Sequence, residues 1–298
     1  MAKSKYEYVR DFEQNDSLLK GTFIVIRIDG QAFHKFTTKH SFTKPNDDRG
    51  INLMNKAALE VMRDNSDIFF AYGQSDEYSF VFKYDTEQYD RRASKLISTV
   101  VSKFTSNYTF HWNDFFPTTK LNYPPSFDGR AICYPSIKSL KDYLSWRQVD
   151  CHINNLYNYC FWKLVESGVS NKKAQEYLKD TVSSDKNELL FTKFNINYSK
   201  LPEMHRKGSV IFKPKIVKKI HERKNLTMSS NGTNNNPEKI LKLEEAENTE
   251  LTPNDVRIIN NEVETAKSIL KPGKVTIHHI DIISKKFWDE HNYLLPEI

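Results

Sequence analysis

The apolar residues of this chain keep two different rhythms, and the rhythm changes near residue 138. In the first part, short uninterrupted runs alternate with stretches at helical spacing. Residues 22–30, TFIVIRIDG, place Phe23, Ile24, Val25, Ile26 and Ile28 in a β-branched run that predicts a buried strand, closed by Asp29 and Gly30. Residues 68–82, IFFAYGQSDEYSFVF, predict two strands on either side of an acidic turn at Ser75, Asp76 and Glu77. Residues 51–63, INLMNKAALEVMR, carry apolar side chains at helical spacing. In residues 91–108, Leu96, Ile97, Val100, Val101 and Phe104 mark one helical face. A short helix is expected over residues 6–16, and a helix start or ordered loop over 31–40. With a strand at 127–135, FDGRAICYP, the order is βαββα(β), the ferredoxin-like arrangement of an α+β fold: an antiparallel sheet with packed helices.

Beyond residue 138 the pattern lengthens. Residues 142–166 mix Trp, Tyr, Leu and Cys in one long helix-like run, and a second helix is expected at 171–178. The division expected is therefore a catalytic domain over 1–137 and a mainly helical region over 138–298. Residues 212–224 are basic. Residues near 226–255 are rich in Asn, Ser, Thr and Glu and predict a mobile polar loop. Residues 274–283, KVTIHHIDII, predict a returning strand, with Phe287 and Trp288 docking the tail.

Composition narrows the classes. The 298 residues are 28% charged and 38% hydrophobic, with 19 Phe and 15 Tyr, the balance of a folded chain with a sizeable core. A formal charge of +6 permits a polyanionic partner without requiring one. Cys133, Cys151 and Cys160 are an odd number without metal-ligand spacing, which points to free thiols in a reducing compartment. No signal-peptide core and no membrane-length apolar stretch stands in the sequence, so the expectation is a cytoplasmic protein, also present in the nucleus, with no membrane partner.

The chemistry concentrates where the strands end. Two strand units, each presenting acid beside a turn, suit a divalent metal held between neighbouring strands, since hard Mg²⁺ takes carboxylate and carbonyl oxygens and leaves room for phosphates. The plainer alternative is that Asp-Gly and Ser-Asp are simply turn formers. Arg27 is out of place in an apolar strand, and either an anionic partner or exposure at a sheet edge would account for it. Arg92 and Lys95 lie three apart on a helix and point the same way. His152 and Asn155 share a helix face, where they either satisfy hydrogen bonds in the core or read RNA.

Seven blocks, RIDGQAFHKF (27–36), KPND (44–47), YGQSDEYSFVF (72–82), FDGRAICYP (127–135), SWRQVDCHINNLYN (145–158), KNELLF (186–191) and RKGSV (206–210), resemble the tRNA-histidine guanylyltransferase family. They are long, ordered and spread over about the first 210 residues. The resemblance implies a polymerase-like palm and two-metal catalysis with Mg²⁺, with Asp29, the Gly30 carbonyl and Asp76 as ligands. Glu77 is essential in relatives, although on an extended strand it points opposite to Asp76. Lys44 is implied in triphosphate contact during ATP activation, with Asn46 and Asp47 beside it. Ser75, Arg92 and Lys95 look like a second phosphate group. Gln31, Ala32, Phe33 and His34 are expected near the nucleotide, His34 as a packing element more than a general base. Asp128 and Arg130 are candidates too, though an Asp-Gly turn explains Asp128 equally well. RNA handling falls to His152, Asn155, Lys186, Asn187, Asn197, Arg206 and Lys207. The chain departs from the familiar pattern at Tyr159, Asp180 and Ser199, positions that bear on packing or a turn.

The reaction implied is addition of a guanylate to the 5′ end of tRNA-His in the 3′-to-5′ direction, with ATP and GTP as substrates and a homotetramer as the working form. Three other readings compete. A template-dependent 3′-to-5′ repair polymerase would act on several 5′-truncated tRNAs. A nucleotide cyclase on the same palm would leave the helical half without a task. An RNA-binding protein without catalysis would have no use for Asp29, Asp76 and Glu77.

Overall fold

A computed structural model describes residues 4–217, 270–272 and 274–296. The polar segment near 226–255 lies outside the described residues, as does most of the basic stretch. The chain divides into two compact units, Met1–Lys213 with Val275–Ile298, and Pro214–Lys274.

The first unit is built on a six-stranded antiparallel sheet. Its first strand, β1 (Phe23–Gly30), leads through α1 (Phe33–Lys39) and α2 (Asp48–Asp64) to the hairpin of β2 (Ile68–Gln74) and β3 (Glu77–Phe82). Helix α3 (Ala93–Phe110), the short α4 (Trp112–Phe115) and β4 (Phe127–Tyr134) complete the predicted order. In space the strands run β4-β1-β3-β2, the ferredoxin-like order, and every pair is antiparallel.

Strand β1 reads as an unbroken apolar run because both of its faces are covered. Ile24, Ile26 and Ile28 face one core, shared with Leu53, Ala57 and Val61 of α2 and Leu96, Val100 and Phe104 of α3. Phe23 and Val25 face a second core on the opposite side, against Leu140, Tyr143 and Leu144. These last belong to α5 (Ile137–Glu166), 30 residues and so about 45 Å long. It starts five residues earlier than the apolar pattern indicated, because Ser136 and Ser139 form a reciprocal capping box.

Only the first half of α5 lies on the sheet. Its second half, from Leu156 to Leu164, joins a third core with α6 (Asn171–Leu178) and α7 (Ser183–Phe194). The chain then passes through α8 (Glu203–Lys207) into β5 (Ser209–Phe212), which pairs with β2. The sheet is therefore not confined to the first 137 residues. Besides β5 it takes a further strand from the predicted 274–283 segment, at Thr276–His278, which pairs with β5. Helix Lys285–Glu290 then buries Phe287 and Trp288 on the second core. In the second unit the described residues form one antiparallel pair, Lys215–Val217 with Leu270–Pro272.

Candidate active site

Backbone pairing alone brings the acids together. Asp29, near the end of β1, stands directly opposite Glu77 on β3 and Asp128 on β4. The β2–β3 hairpin turns through only two residues, Ser75 and Asp76, with Ser75 in the left-handed region at φ 50°. The Gly30 amide donates to the Asp76 carbonyl at 3.1 Å and draws that turn onto the end of β1. Glycine is needed there: a Cβ on Gly30 would come within 2.5 Å of the Phe33 ring and 3.0 Å of the Asp76 Cβ.

Two half-buried aspartates result, and neither is at ease. Burial raises the Asp76 carboxyl above its ordinary value, and the charge of Asp29 raises it further. Asp29 is raised by burial and then by Asp128. Among the described residues no three His, Cys, Asp or Glu side chains converge as a closed metal cage. Two like-charged carboxylates beside a main-chain carbonyl are nevertheless the donor set of a hard divalent ion that keeps open positions for water and phosphate.

Glu77 turns to the other side. Its carboxylate takes Nη1 of Arg147 at 3.0 and 3.2 Å, and Nε of Arg27 stands 3.8 Å away. Burial raises this carboxyl, while Arg147 and then Arg27 oppose the rise. The alternation expected from the strand thus places Asp76 and Glu77 on opposite sides. Of the two explanations for Arg27, the anionic partner stands, and it is a carboxylate. β1 is an interior strand, so edge exposure does not apply.

The 44–47 loop holds one free-standing cation. The Lys44 ammonium donates to Thr37 Oγ1 at 3.1 Å and lies 5.8 Å from the Trp162 ring centroid, and burial pulls its pKa down. Asp47 requires a correction. It caps α2, and its oxygens accept from the Thr43 and Arg49 amides and from the Arg49 guanidinium, so it is saturated and not available to a nucleotide. Asn46 is also engaged, donating to Asn155 Oδ1 at 2.9 Å.

The residues after Gly30 separate into lining and core. Gln31 is exposed and is tied to Ser126 through its amide and its side chain. Ala32 is exposed in the left-handed region at φ 48°, and His34 is exposed close enough to Asp76 for its charge to favour the ionised carboxylate. Phe33 does not flank a nucleotide: it is buried, stacked on Phe36 with centroids 5.0 Å apart and packed against Phe127.

The structure does not bring the second phosphate group together: its three residues lie at opposite ends of the sheet. Ser75 sits at the Asp76 turn, whereas Arg92 and Lys95 open α3 beyond the far end of β3. Their place is fixed by Arg91, a fully buried guanidinium ringed by the carbonyls of Leu18, Leu19, Thr22, Tyr84 and Thr86. Those residues bracket the start of β1, about 25 Å along the strand from Gly30. Arg92 pairs with Ser17 in a bridge, and Lys95 lies 5.7 Å from the Tyr89 ring. Asp128 and Arg130 stay beside Asp29 and Arg27 on β4, 3.6 Å from each other.

In the helical half most of the expected RNA contacts already have partners. Asn155 is buried and uses both ends of its amide, toward Asn46 and Tyr198, so it is a tie between elements and not an RNA contact. Lys186 holds the carbonyl and hydroxyl of Thr181, and Arg206 Nε donates to the Leu201 carbonyl. His152 is half-buried, edge-on to Tyr198, with burial and then Arg206 lowering its pKa. Asn197 caps its own turn toward Ser199, and Asn187 bonds the Ser183 carbonyl, both exposed. Lys207 pairs with Glu203 at 2.6 Å.

Several connecting residues were not singled out from the sequence. Arg147 is buried on the sheet-facing side of α5, in step with Leu140, Leu144 and Cys151, and a charge at a core position of a helix is itself the signal of a buried partner. Tyr159, a departure from the family pattern, bonds His205 Nδ1 at 3.0 Å, and His205 Nε2 reaches Asp48 at 2.6 Å. That relay ties α8 and α5 to the start of α2.

Comparison with known proteins agrees with this geometry. The family model for "tRNAHis guanylyltransferase" matches residues 6–135, and that for "Thg1 C terminal domain" matches 138–284. A tRNA(His) guanylyltransferase from Neurospora crassa is 48% identical over 300 residues, covering 99% of this chain and 96% of the relative. A probable one from Dictyostelium discoideum is 46% identical over 296 residues, covering 99% of each. The crystal structure of the Saccharomyces cerevisiae tRNA(His) guanylyltransferase superposes with a TM-score of 0.67 at 45% identity, covering 69% of this chain and 92% of that one. With the two family models together matching residues 6–135 and 138–284 and relatives nearly half identical over almost the whole chain, this chain belongs to the tRNA(His) guanylyltransferase family.

Proposed function

We propose that this protein adds a guanylate to the 5′ end of tRNA-His. The observation that carries the reading is the Asp29–Asp76 pair, two carboxylates held together at the Gly30 close approach, each raised first by burial and then by a neighbouring carboxylate, Asp128 for Asp29 and Asp29 for Asp76. Such a pair is costly unless a cation joins it. Asp29, Asp76 and the Gly30 carbonyl would hold Mg²⁺, two ions in the full assembly. When bound, the metal supplies charge neutralisation at the phosphates and eases ionisation of the attacking hydroxyl.

In the reaction, the RNA 5′-monophosphate displaces pyrophosphate from ATP and becomes adenylylated. The 3′-hydroxyl of GTP then attacks the activated phosphorus and AMP leaves. Removal of pyrophosphate from the added guanosine leaves a 5′-monophosphate one residue longer. Lys44 serves the first step: a partly desolvated ammonium with one hydroxyl partner keeps donors free for a triphosphate. Glu77, fixed between two guanidinium groups, holds negative charge beside Asp29 without taking the Asp76 side of the turn. His34 stands exposed at the same mouth. The anticodon end of the RNA would meet the helical half, with His152, the exposed Asn187 and Asn197 and the partly exposed Lys207 at its surface.

The test is direct. Purified protein with tRNA-His lacking the extra 5′ residue, ATP, GTP and Mg²⁺ should give a product one nucleotide longer. Asp29→Ala and Asp76→Ala should lose both adenylylation and transfer while remaining folded. Full activity in either variant would remove the metal assignment, and no extension by the unaltered protein would remove the reading itself.

A further inference from the structure

We propose that Arg147 and Asp150 of α5 are positioning residues that clamp the Ser75–Asp76 turn and thereby set Asp76 against Asp29. The turn has only two residues, so its placement depends on its two feet, the register partners Gln74 and Glu77. Both feet are gripped by one turn of the same helix. Gln74 Nε2 donates to Asp150 Oδ2 at 3.3 Å, and Arg147 Nη1 donates to both Glu77 oxygens at 3.2 and 3.0 Å. Arg147 and Asp150, three residues apart on one helix face, close the ring through a 3.5 Å ion pair. Asn154 Nδ2 steadies Asp150 from the next turn at 3.2 Å.

The clamp is rigid for identifiable reasons. The Arg147 side chain is only 6% exposed, so little water competes for its donors. Its guanidinium lies 3.5 Å from the centroid of the Trp146 ring, which fixes the plane of the fork. Arg27 braces Glu77 from the sheet side. The force it resists is local: Asp29 and Asp76 are like charges, and at the β1 end the turn is joined by the Gly30-to-Asp76 main-chain bond beside the Asp29–Glu77 strand pair. Helix α5 thus links the helical half to the acid turn, and its grip acts through outer contacts on the groups that bind the metal.

This inference rests on the assignment of Asp29 and Asp76 to the metal, and the experiment separates the two. Mn²⁺ binding to the purified full chain, read from the signal of the free ion by electron paramagnetic resonance, is measured for Asp76→Asn, Arg147→Met and Arg147→Lys. Steady-state kinetics with GTP accompany it. Arg147→Met should raise the Mn²⁺ Kd about tenfold and lower kcat by about 10- to 100-fold, the range for removal of an outer partner of a metal ligand, with the KM for GTP unchanged. Arg147→Lys, which keeps the charge, should recover most of both losses. Folded Arg147→Met with unaltered Mn²⁺ affinity, or an Arg147→Lys variant no better than Met, overturns the clamp. If Asp76→Asn itself binds Mn²⁺ normally, the metal assignment has failed instead. Should Arg147→Met not fold, Asp150→Ala decides, because Asp150 is one-third exposed and its loss frees the Gln74 foot and the ion pair to Arg147 while leaving the Arg147–Glu77 contact in place. A severalfold higher Mn²⁺ Kd is expected there by the same outer-contact argument, and an unchanged Kd overturns the proposal.

Discussion

The acid turn and the helical half treat polar residues in opposite ways. In the helical half Asn155, Lys186, Arg206 and His205 each have intramolecular partners, and most of these bonds tie one element to another. At the turn, Asp29 and Asp76 are brought together with like charge, and their carboxyls are raised, first by burial and then by a neighbouring carboxylate. Satisfied polar groups hold the fold; dissatisfied ones are poised for a ligand. The contrast also explains why the family blocks after residue 145 are rich in polar side chains. Several of them join elements, and only those at the surface are free to meet RNA.

The strongest break in that contrast comes from the aspartates. Asp76→Asn should abolish guanylate addition yet raise the melting temperature of the metal-free protein, because the substitution removes a like charge from a half-buried pair. The pH dependence has a definite sign. A carboxyl raised in the fold binds more protons folded than unfolded, so metal-free stability falls as pH rises from the ordinary value of 3.8 through the raised one. Asp76→Asn should flatten that fall, and thermal melts in chelator across this window check it. A lower melting temperature in the variant would mean that the turn needs the carboxylate for its own structure.

Lys44→Ala comes next, since the lysine belongs to the poised side of the comparison. Loss of one phosphate donor should slow ATP-dependent activation by about 10²-fold. RNA supplied with a 5′-triphosphate should largely bypass the defect, because it already carries a leaving group. Equal loss on both RNAs, measured by single-turnover transfer, would place Lys44 in another step.

Asn155→Ala probes the satisfied side. It leaves the Asn46 amide without its acceptor and removes one of the Tyr198 hydroxyl's two bonds, the one to the His152 carbonyl remaining, and should cost about 1–3 kcal/mol of stability by denaturant unfolding. Anticodon discrimination in the folded fraction should not change. A loss of discrimination at full stability would return Asn155 to RNA recognition. The smallest effect is expected at Lys207, which is partly exposed and pairs with Glu203. Lys207→Ala should weaken binding of any tRNA similarly and lower the salt slope by about 1. His152→Ala sharpens the same boundary through the ratio of kcat/KM for tRNA-His with its own and with a substituted anticodon. An unchanged ratio would class His152 with Asn155.

Much of this was legible in the chain. β1 announced itself because both faces of a strand between two cores must be apolar, and strand alternation predicted that Glu77 would face away from Asp76. The ferredoxin-like order followed from the succession of periods. Periodicity fails where the question is what a face meets. Arg92 and Lys95 were expected on one helix face, yet Arg92 is the extended residue that precedes α3, and topology starts α3 at the far end of the sheet from Ser75. Phe33 and Asp47 stand in the right blocks, but one faces the core and the other caps a helix. Arg91 looks like any surface arginine until its carbonyl partners, 5 to 73 residues away, are seen, and Arg147, whose core position on α5 signals a buried partner, does not show in sequence that the partner is Glu77.

What the sequence determined by itself is therefore local and chemical. It determined strands β1 to β4 and helices α2, α3, α5 and α6, the acids at the ends of strands, and the blocks that mark the family, because side-chain type and spacing along the chain are sufficient for these. Strand β5 and helix α7 emerged only in the fold. Only the tertiary structure decided which of those polar groups are spent on one another. Burial and pairing depend on residues distant in sequence and near in space: Asn155 lies 109 positions from Asn46, and Arg147 lies 70 from Glu77. A carboxylate becomes a ligand candidate when the fold denies it a partner, and that denial is a property of the assembled molecule.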